Sequence, residues 1–366
     1  MSSQIYKNQI PQDWEVVKLE GIVEIYDNLR IPVAASLRKF GTTPYYGANG
    51  IQDYVDGFTH NGEFVLIAED GANDLINYPV NYVNGEIWVN NHAHVVSGKN
   101  KIVNNKFLSY CLKITNFSKF IVGGTRTKLN GSILKNIEIL LPKDKAEQER
   151  IAQVLGDMDE LIGAKCELLD KKRAIKQAAA QQLLTPKPHW HTATLGDISL
   201  IKTGSRNNQD KNNDGEFPFF VRSATVERIS TYSYDCEAIL IPGEGGIGSI
   251  YHYINGKFDA HQRVYVIRDF NKDIDAKFIF YVLKEYFGKY ALQNTVKATV
   301  DSLRLPTFQN FEFSLPKDKA EQTKITQILS DMDDEISALQ DEIEKLKMIK
   351  QGAMDELLSG KIRLKG

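Results

Sequence analysis

The chain has 366 residues, 42% hydrophobic and 25% charged, the balance of a globular protein with room for more than one core. No apolar run nears the ~20 residues that span a bilayer, the polar start MSSQIYKNQIPQDW lacks a secretory pattern, and Cys111, Cys166 and Cys236 lie too far apart for a disulfide framework or zinc knuckle. The expectation is a cytoplasmic protein without a membrane partner, and a net charge of −2 excludes nucleic-acid binding driven by overall charge, leaving only local basic loops or help from partner subunits.

From Trp14 onward the chain reads as short strands separated by Gly, Asn and Asp turns, with EFVLIAEDGAN and EIWVNNHAHVV the clearest, followed by one helical stretch, NNKFLSYCLKI. A long helical pattern then begins near LPKDKAEQERIAQVLGDMDELI at Leu141 and runs to QQLL. A second strand-and-turn segment starts at Trp190, carries AILIPGEGG and RVYVIRDF, and again ends in one helical stretch, DAKFIFYVLKEYF. LPKDKAEQTKITQILSDMDDEI follows at Leu315, 174 positions after its first copy, with eight identical residues at the start and a similar tail without gaps. This is an internal duplication. The two strand-rich segments are nearly equal in length, 127 positions from Trp14 to Leu141 and 125 from Trp190 to Leu315, yet share little sequence.

The spacing predicts that each long helix starts just after Pro142 or Pro316, where a missing N–H costs least, and that ~42 residues make a rod of about 60 Å. In the second copy Ile325, Leu329, Met332, Ile336, Leu339, Ile343 and Leu346 alternate gaps of four and three, a coiled-coil seam that would be wet on a lone helix, so the two helices are expected to pair. Lys165 and Lys172 interrupt the first copy's seam and are expected to face solvent or another subunit.

Gly243, Gly245 and Gly248 in ILIPGEGGIGSIY satisfy G-x-G-x-x-G, but a dinucleotide site needs a helix opening at the third glycine. SIYHYINGKF follows instead, which predicts a hairpin with an Asn-Gly turn and assigns the glycines to a tight inter-strand turn. No methyltransferase tetrapeptide (N-P-P-[FY] or D-P-P-Y) and no phosphate loop occurs. His92 with His94, and His189 with His191, lack Cys or carboxylate partners at ligand spacing, so no metal is expected.

A Trp-headed variable segment, an LP…AEQ…IA…L…D helix, a second variable segment and a second such helix resemble the specificity subunit of type I restriction-modification systems along the whole chain. GGTRTKL (123–129) resembles the end of that family's target recognition domains, and ILIPGEGGIGS a recurrent element of them. The resemblance implies an α+β fold: two mostly-β target recognition domains joined by two long antiparallel coiled-coil helices, with internal two-fold duplication. The implied divisions are 1–141, 142–185, 186–315 and 316–366. It implies further that each head reads one half of a split, asymmetric double-stranded DNA sequence. The heads are expected at opposite ends of the helix pair, meeting grooves about one DNA turn, ~34 Å, apart. The helices would dock two methyltransferase (modification) subunits, to which restriction/translocase subunits are added. No catalytic role is implied for this chain and no cofactor of its own; S-adenosylmethionine, ATP and Mg belong to the partner subunits.

Base edges are read by Arg, Lys, Asn, Gln, Ser and Thr. In the first head the candidates are Arg38 and Lys39, Tyr45, Tyr46 and Asn49 in PYYGANG, Asn90, Asn91 and His92 in WVNNHAHV, and Arg126, Thr127 and Lys128 in VGGTRTKLN. Hairpin packing, buried strand-end polar groups and an exposed turn are their respective structural alternatives. In the second head they are Lys202, Ser205, Arg206, Asn207 and Asn208 in a long polar loop, Arg222 and Ser223, Arg263, and Lys297 and Thr299 in the place of TRTK. A solvated loop and an internal ion pair at Arg263 are the alternatives there. At the level of the whole protein the competing readings are a coiled-coil scaffold presenting two protein-binding heads, a bifunctional enzyme, and the recognition subunit of a modification-only system.

Overall fold

FVLIA at Phe64–Ala68 and AILIP at Ala238–Pro242 are apolar without alternation, and in a sheet that requires cover on both faces. The computed structural model, which describes residues 10–99, 102–121, 128–295 and 302–365, places each run in a central strand. Val65 and Ile67 face one core and Phe64 and Leu66 another; Ile239 and Ile241, and Ala238 and Leu240, divide in the same way. The chain forms two compact units, Met1–Cys166 with Glu342–Gly366, and Glu167–Asp341. Each contains a mostly-β head and one stretch of each long helix, an α+β duplication.

The first head runs β1 (Trp14–Lys18), α1 (Leu19–Ile22), β2 (Val23–Ile25), β3 (Phe40–Gly47), β4 (Gly50–Val55), β5 (His60–Ala68), β6 (Val80–Val89), β7 (Ala93–Gly98), α2 (Asn105–Lys113), α3 (Gly131–Lys135) and β8 (Glu138–Pro142). Its six-stranded sheet has the order β2-β7-β5-β6-β3-β4, with a parallel β3–β6 pair, and β1 pairs with β8. After α4 (Lys145–Leu184), the second head runs β9 (His191–Thr194), α5 (Leu195–Ile198), β10 (Leu200–Thr203), β11 (Phe217–Phe220), β12 (Glu227–Ile229), β13 (Tyr234–Pro242), β14 (His252–Ala260), β15 (Val264–Arg268), α6 (Ala276–Val282) and, through one π-helical turn, α7 (Gly288–Gln293). It closes with α8 (Leu305–Gln309) and β16 (Glu312–Leu315), before α9 (Lys319–Leu357). The sheet order β10-β15-β13-β14-β11-β12, with parallel β11–β14, repeats the first strand for strand. Divergent sequences therefore carry one topology.

The repeated AEQ has a visible purpose. Glu147 accepts the Trp14 indole N–H at 3.2 Å, and Glu321 accepts that of Trp190 at 3.2 Å. The buried Gln148 amide accepts from Asn104 N and donates to Pro142 O and Ile102 O. Gln322 does the same with Asp275 N, Pro316 O and Asp273 O. Asn104 and Asp275 in turn cap α2 and α6 through the N–H groups of Phe107 and Phe278. One dipeptide thus locks the head's tryptophan and the start of its helix onto the long helix.

A second fastening also repeats. Tyr110 on α2 donates to Asp159 on α4 at 2.7 Å, and Lys350 on α9 reaches the other oxygen of that carboxylate. In the second unit Tyr281 on α6 donates to Asp333 on α9 at 2.9 Å, and Lys176 on α4 completes the set. Each head helix is thereby tied to both long helices of its own unit. Burial foremost, then the aspartate, pushes both tyrosine hydroxyls far up in pKa, so they remain donors.

Three expectations need correction. The long helices begin at Lys145 and Lys319, not directly after the prolines, because Pro142 still belongs to β8 and Asp144 and Asp318 cap the helices through Ala146 N and Ala320 N. Lys165 and Lys172 do not face solvent alone: they pair with Glu342 at 2.8 Å and Glu335 at 2.6 Å on α9, within the first and second unit respectively. With Asp159–Lys350 and Lys176–Asp333, these pairs show that the helices run antiparallel within each unit. Asn255-Gly256 makes no turn, since β14 runs straight through it with Gly256 at φ +142°, opposite Cys236 in β13.

The glycines after β13 do turn the chain, without opening a helix. Gly245, Gly246 and Gly248 have φ of +71°, +59° and +72°. At Gly248 a Cβ would sit 2.8 Å from the Gly288 Cα, so this loop lies directly on the start of α7.

Candidate nucleic-acid interface

At the end of the central strands the two heads build one backbone frame. In the first, Asn90 N donates to Tyr46 O (3.1 Å), Glu69 N to His92 O (2.9 Å) and Leu129 N to Glu69 O (2.7 Å). In the second, His261 N donates to Phe220 O (2.9 Å), Gly243 N to Arg263 O (2.8 Å) and Leu303 N to Gly243 O (2.8 Å). A side chain completes each frame: Asn90 Oδ1 accepts His92 N at 2.8 Å, and His261 Nδ1 accepts Arg263 N at 3.0 Å. Burial, reinforced by the positive charges of Arg222 and Arg263, lowers the His261 pKa, which keeps that ring nitrogen available as an acceptor.

On this frame the outward side chains differ. In the first head Asp70 holds the His92 ring at 2.5 Å, and Lys128 pairs with Glu69 at 2.9 Å. Asn49 binds the same loop, donating to Gly71 O and accepting Asn73 N, both at 2.9 Å. The fold therefore brings together Asn49, Asn90, His92 and Lys128, with exposed Asn91 beside them. In the second head Glu244 stands where Asp70 stands, 174 positions on. It takes two guanidinium groups, Arg263 at 3.1 Å and Arg222 at 3.4 Å, while their side chains keep 55% and 44% exposure. Ser223 belongs to the same edge, its Oγ donating to Thr225 O and its carbonyl facing His252.

Other candidates lie elsewhere. Tyr45 is 1% exposed, with its hydroxyl bound to Val33, and belongs to the core, so of its two readings the packing one holds and its place among the DNA-contact candidates is corrected. Arg38 lies over that ring at 4.1 Å, bonds Val33 O and pairs with Asp53, so it serves as a brace. Lys39 is exposed beside it. Tyr46 is half-buried against the second core of the head, and Asn90 is buried as part of the frame. Arg206 neutralises the fully buried Asp259 at 2.9 Å and is the internal ion-pair partner that Arg263 was the candidate for. Asn207 closes a short turn with Asp210 and accepts Gln262 Nε2, while Lys202, Ser205 and Asn208 are exposed. Arg126, Thr127, Lys297 and Thr299 lie outside the described residues.

The sequence missed the carboxylates. Asp27, Glu69 and His94 place ligand atoms within 4.8 Å of one another, so the carboxylates absent near His94 in sequence are supplied by the fold. Protein cations already engage them. Arg30 donates to Glu69 at 2.6 Å and pairs with Asp27, and His94 lies between Asp27 (2.6 Å) and Leu129 O (2.8 Å). Burial disfavours the charged ring, yet these two acceptors outweigh it and raise the His94 pKa. Burial likewise opposes ionisation of Glu69, and hydrogen bonds from Arg30 and Lys128 outweigh that, leaving the carboxyl below its usual range. The cluster fastens Leu129 to the sheet. Only the offset of 174 relating Asp70 to Glu244 gave a signal in the sequence.

The two heads thus share one hydrogen-bonded frame and differ in the side chains it presents. The family model described as the type I restriction modification DNA specificity domain matches twice, over residues 11–171 and 188–348, and the chain belongs to that family. A Haemophilus influenzae protein provisionally named a type I restriction enzyme specificity subunit is 48% identical over 143 residues, 39% of this chain and 37% of that protein. The type I restriction enzyme MjaVIII specificity subunit of Methanocaldococcus jannaschii is 24% identical over 98% of this chain and 95% of its own. The crystal structure of the type I restriction-modification system S subunit from M. genitalium superposes with a TM-score of 0.76 at 17% identity, covering 96% of this chain and 97% of that one, a likeness in fold. No helix among the described residues is long and apolar enough to cross a membrane.

Proposed function

We propose that this chain is a non-catalytic recognition subunit that reads a bipartite, asymmetric sequence in double-stranded DNA, one half-site per head. The observation that carries this is the pair of frames with matching backbone hydrogen bonds, bearing Asp70–His92 in one head and Glu244–Arg222–Arg263 in the other. Identical frames with different donors suit one task performed on two different words. The long helices, alike in both copies where the heads are not, suit the docking of two like modification subunits, to which restriction subunits add. A net charge of −2 fits an arrangement in which the partners supply much of the phosphate clamp.

The test is a methylation map. The chain is expressed with its modification subunit in an unmethylated host, and modified bases are located genome-wide. A split motif, two short unlike words around a fixed gap, is the expected result. A single continuous word would limit reading to one head. No methylation with a demonstrably active modification subunit would favour a scaffold for protein-binding heads. Salt-dependent DNA binding with and without that subunit tests the shared clamp, and equal affinity in both cases refutes it.

A further inference from the structure

We propose that Arg222 and Arg263 form a guanine-reading pair set by Glu244, so that the half-site of the second head contains a G·C base pair read through its guanine. This rests on the DNA-reading role proposed above and assigns part of its chemistry.

Guanine offers two acceptors, O6 and N7, on one edge in the major groove, and the guanidinium fork matches them with two parallel N–H bonds. A reading arginine must be exposed, present a fork not consumed by the protein, and be held in place before binding. Both arginines satisfy these conditions. Each touches Glu244 through a single terminal nitrogen, Nη1, leaving the other N–H groups of each fork without a hydrogen bond to the described residues. Glu244 itself is 21% exposed and sits on a glycine turn anchored by Leu303 N, Gly243 N and the contact with Gly288. Arg263 is fixed a second time through its backbone N–H on His261. One carboxylate against two guanidinium groups leaves a net positive site, with both side chains restrained before any DNA arrives.

Two of the other arginines of this head contrast with these two. Arg206 spends its Nε on buried Asp259, and Arg228 donates to Gly215 O and Glu216 O. In the first head, Asp70 holds the smaller His92 ring at the position of Arg263, and Ala48 stands at the position of Arg222, two residues after the parallel pairing of Tyr46 with Val89 that matches Phe220 with Ala260. Among the described residues of that head, the guanidinium nearest the frame, Arg30, is half-buried and taken up by Glu69 and Asp27. The assignment is therefore specific to one half of the target.

Arg263→Lys and Arg222→Lys keep the charge and remove the fork, and Glu244→Gln keeps the turn while weakening the restraint. Each is purified with its modification subunit and assayed for methylation on a panel of duplexes carrying single base changes in both half-words. Arg-to-Lys variants are expected to lose discrimination at one G·C position of one half-word by roughly 5- to 150-fold. The other half-word and the salt slope should stay unchanged, and Glu244→Gln should produce a smaller loss at the same position. Uniform weakening on every duplex, with the salt slope reduced, would mean phosphate contacts and overturn the assignment. So would a second half-word without a G·C pair, or unchanged discrimination in all three variants. Absence of any split word in the wild type would instead refute the underlying DNA-reading role, an outcome visible before a variant is made.

Discussion

Arg363 offers the sharpest test of how the first unit is closed. Its guanidinium makes four bonds, to Asp13 Oδ1 and Oδ2 at 2.7 Å each and to Glu147 Oε1 and Oε2 at 2.7 and 2.6 Å, and lies over the Trp14 ring at 5.3 Å. Glu147 is 1% exposed, so Arg363→Ala leaves a buried carboxylate with little beyond the Trp14 indole to bind it. Removing one partner of a buried pair costs about 3–5 kcal/mol, and because Arg363 itself reaches solvent the expected loss is near the lower end, about 3 kcal/mol. For a unit of this size that lowers Tm by roughly 6–12 °C. Hydrogen exchange should show β1 and β8 opening first, while β9 and β16 keep their protection. The orphaned charge is the cause in this argument, so Arg363→Ala with Glu147→Gln should recover part of the loss. A double variant no more stable than Arg363→Ala, or a single variant within ~0.5 kcal/mol of the wild type, would refute the reasoning. The pH dependence follows in sign. Hydrogen bonding to Arg363, ahead of the opposing effect of burial, lowers the Glu147 pKa in the folded state. Its contribution is therefore complete above the ordinary value of 4.5 and is lost as pH falls through the depressed folded value.

Arg206→Ala should destabilise the second unit by about 3 kcal/mol through the fully buried Asp259, whereas Arg206→Ala with Asp259→Asn should cost less; urea unfolding compares them. Gly248→Ala places a Cβ 2.8 Å from the Gly288 backbone at φ +72°, which should cost about 1–3 kcal/mol and loosen the glycine turn, read as faster exchange of the Gly243 and Leu303 amides. His94 has a raised folded pKa, so its contribution is fully present below 6.5 and is lost as pH rises through the folded value. The stability advantage of the wild type over His94→Gln should accordingly shrink as pH rises above 6.5, and a constant or growing advantage would show that Asp27 and Leu129 O do not hold the ring as an imidazolium.

The sequence by itself determined the duplication, the two long helices and the strand-rich character of both heads. Those properties are local: eight identical residues, a four-and-three apolar spacing and runs such as FVLIA carry their meaning wherever the chain goes. The same holds for α2 and α6, whose apolar faces and capping Asn104 and Asp275 lie within a dozen residues. Where the prediction slipped, a long-range partner decided. Asn255-Gly256 is a strong turn signal on its own, yet pairing with β13 from His252 to Phe258 keeps β14 extended. Lys165 and Lys172 spoil a seam only until Glu342 and Glu335 arrive from the other helix. The proposed reading sites were legible as loops rich in donors, but exposure and restraint were not. Whether a polar side chain points outward or serves the core depends on groups distant in sequence, 12 residues for Tyr45 with Val33 and 53 for Arg206 with Asp259. Asp70 and Glu244, the carboxylates that set His92, Arg222 and Arg263, acquire that role only when strand ends from different parts of the head meet, because charge pairing acts across space and leaves no period in the chain.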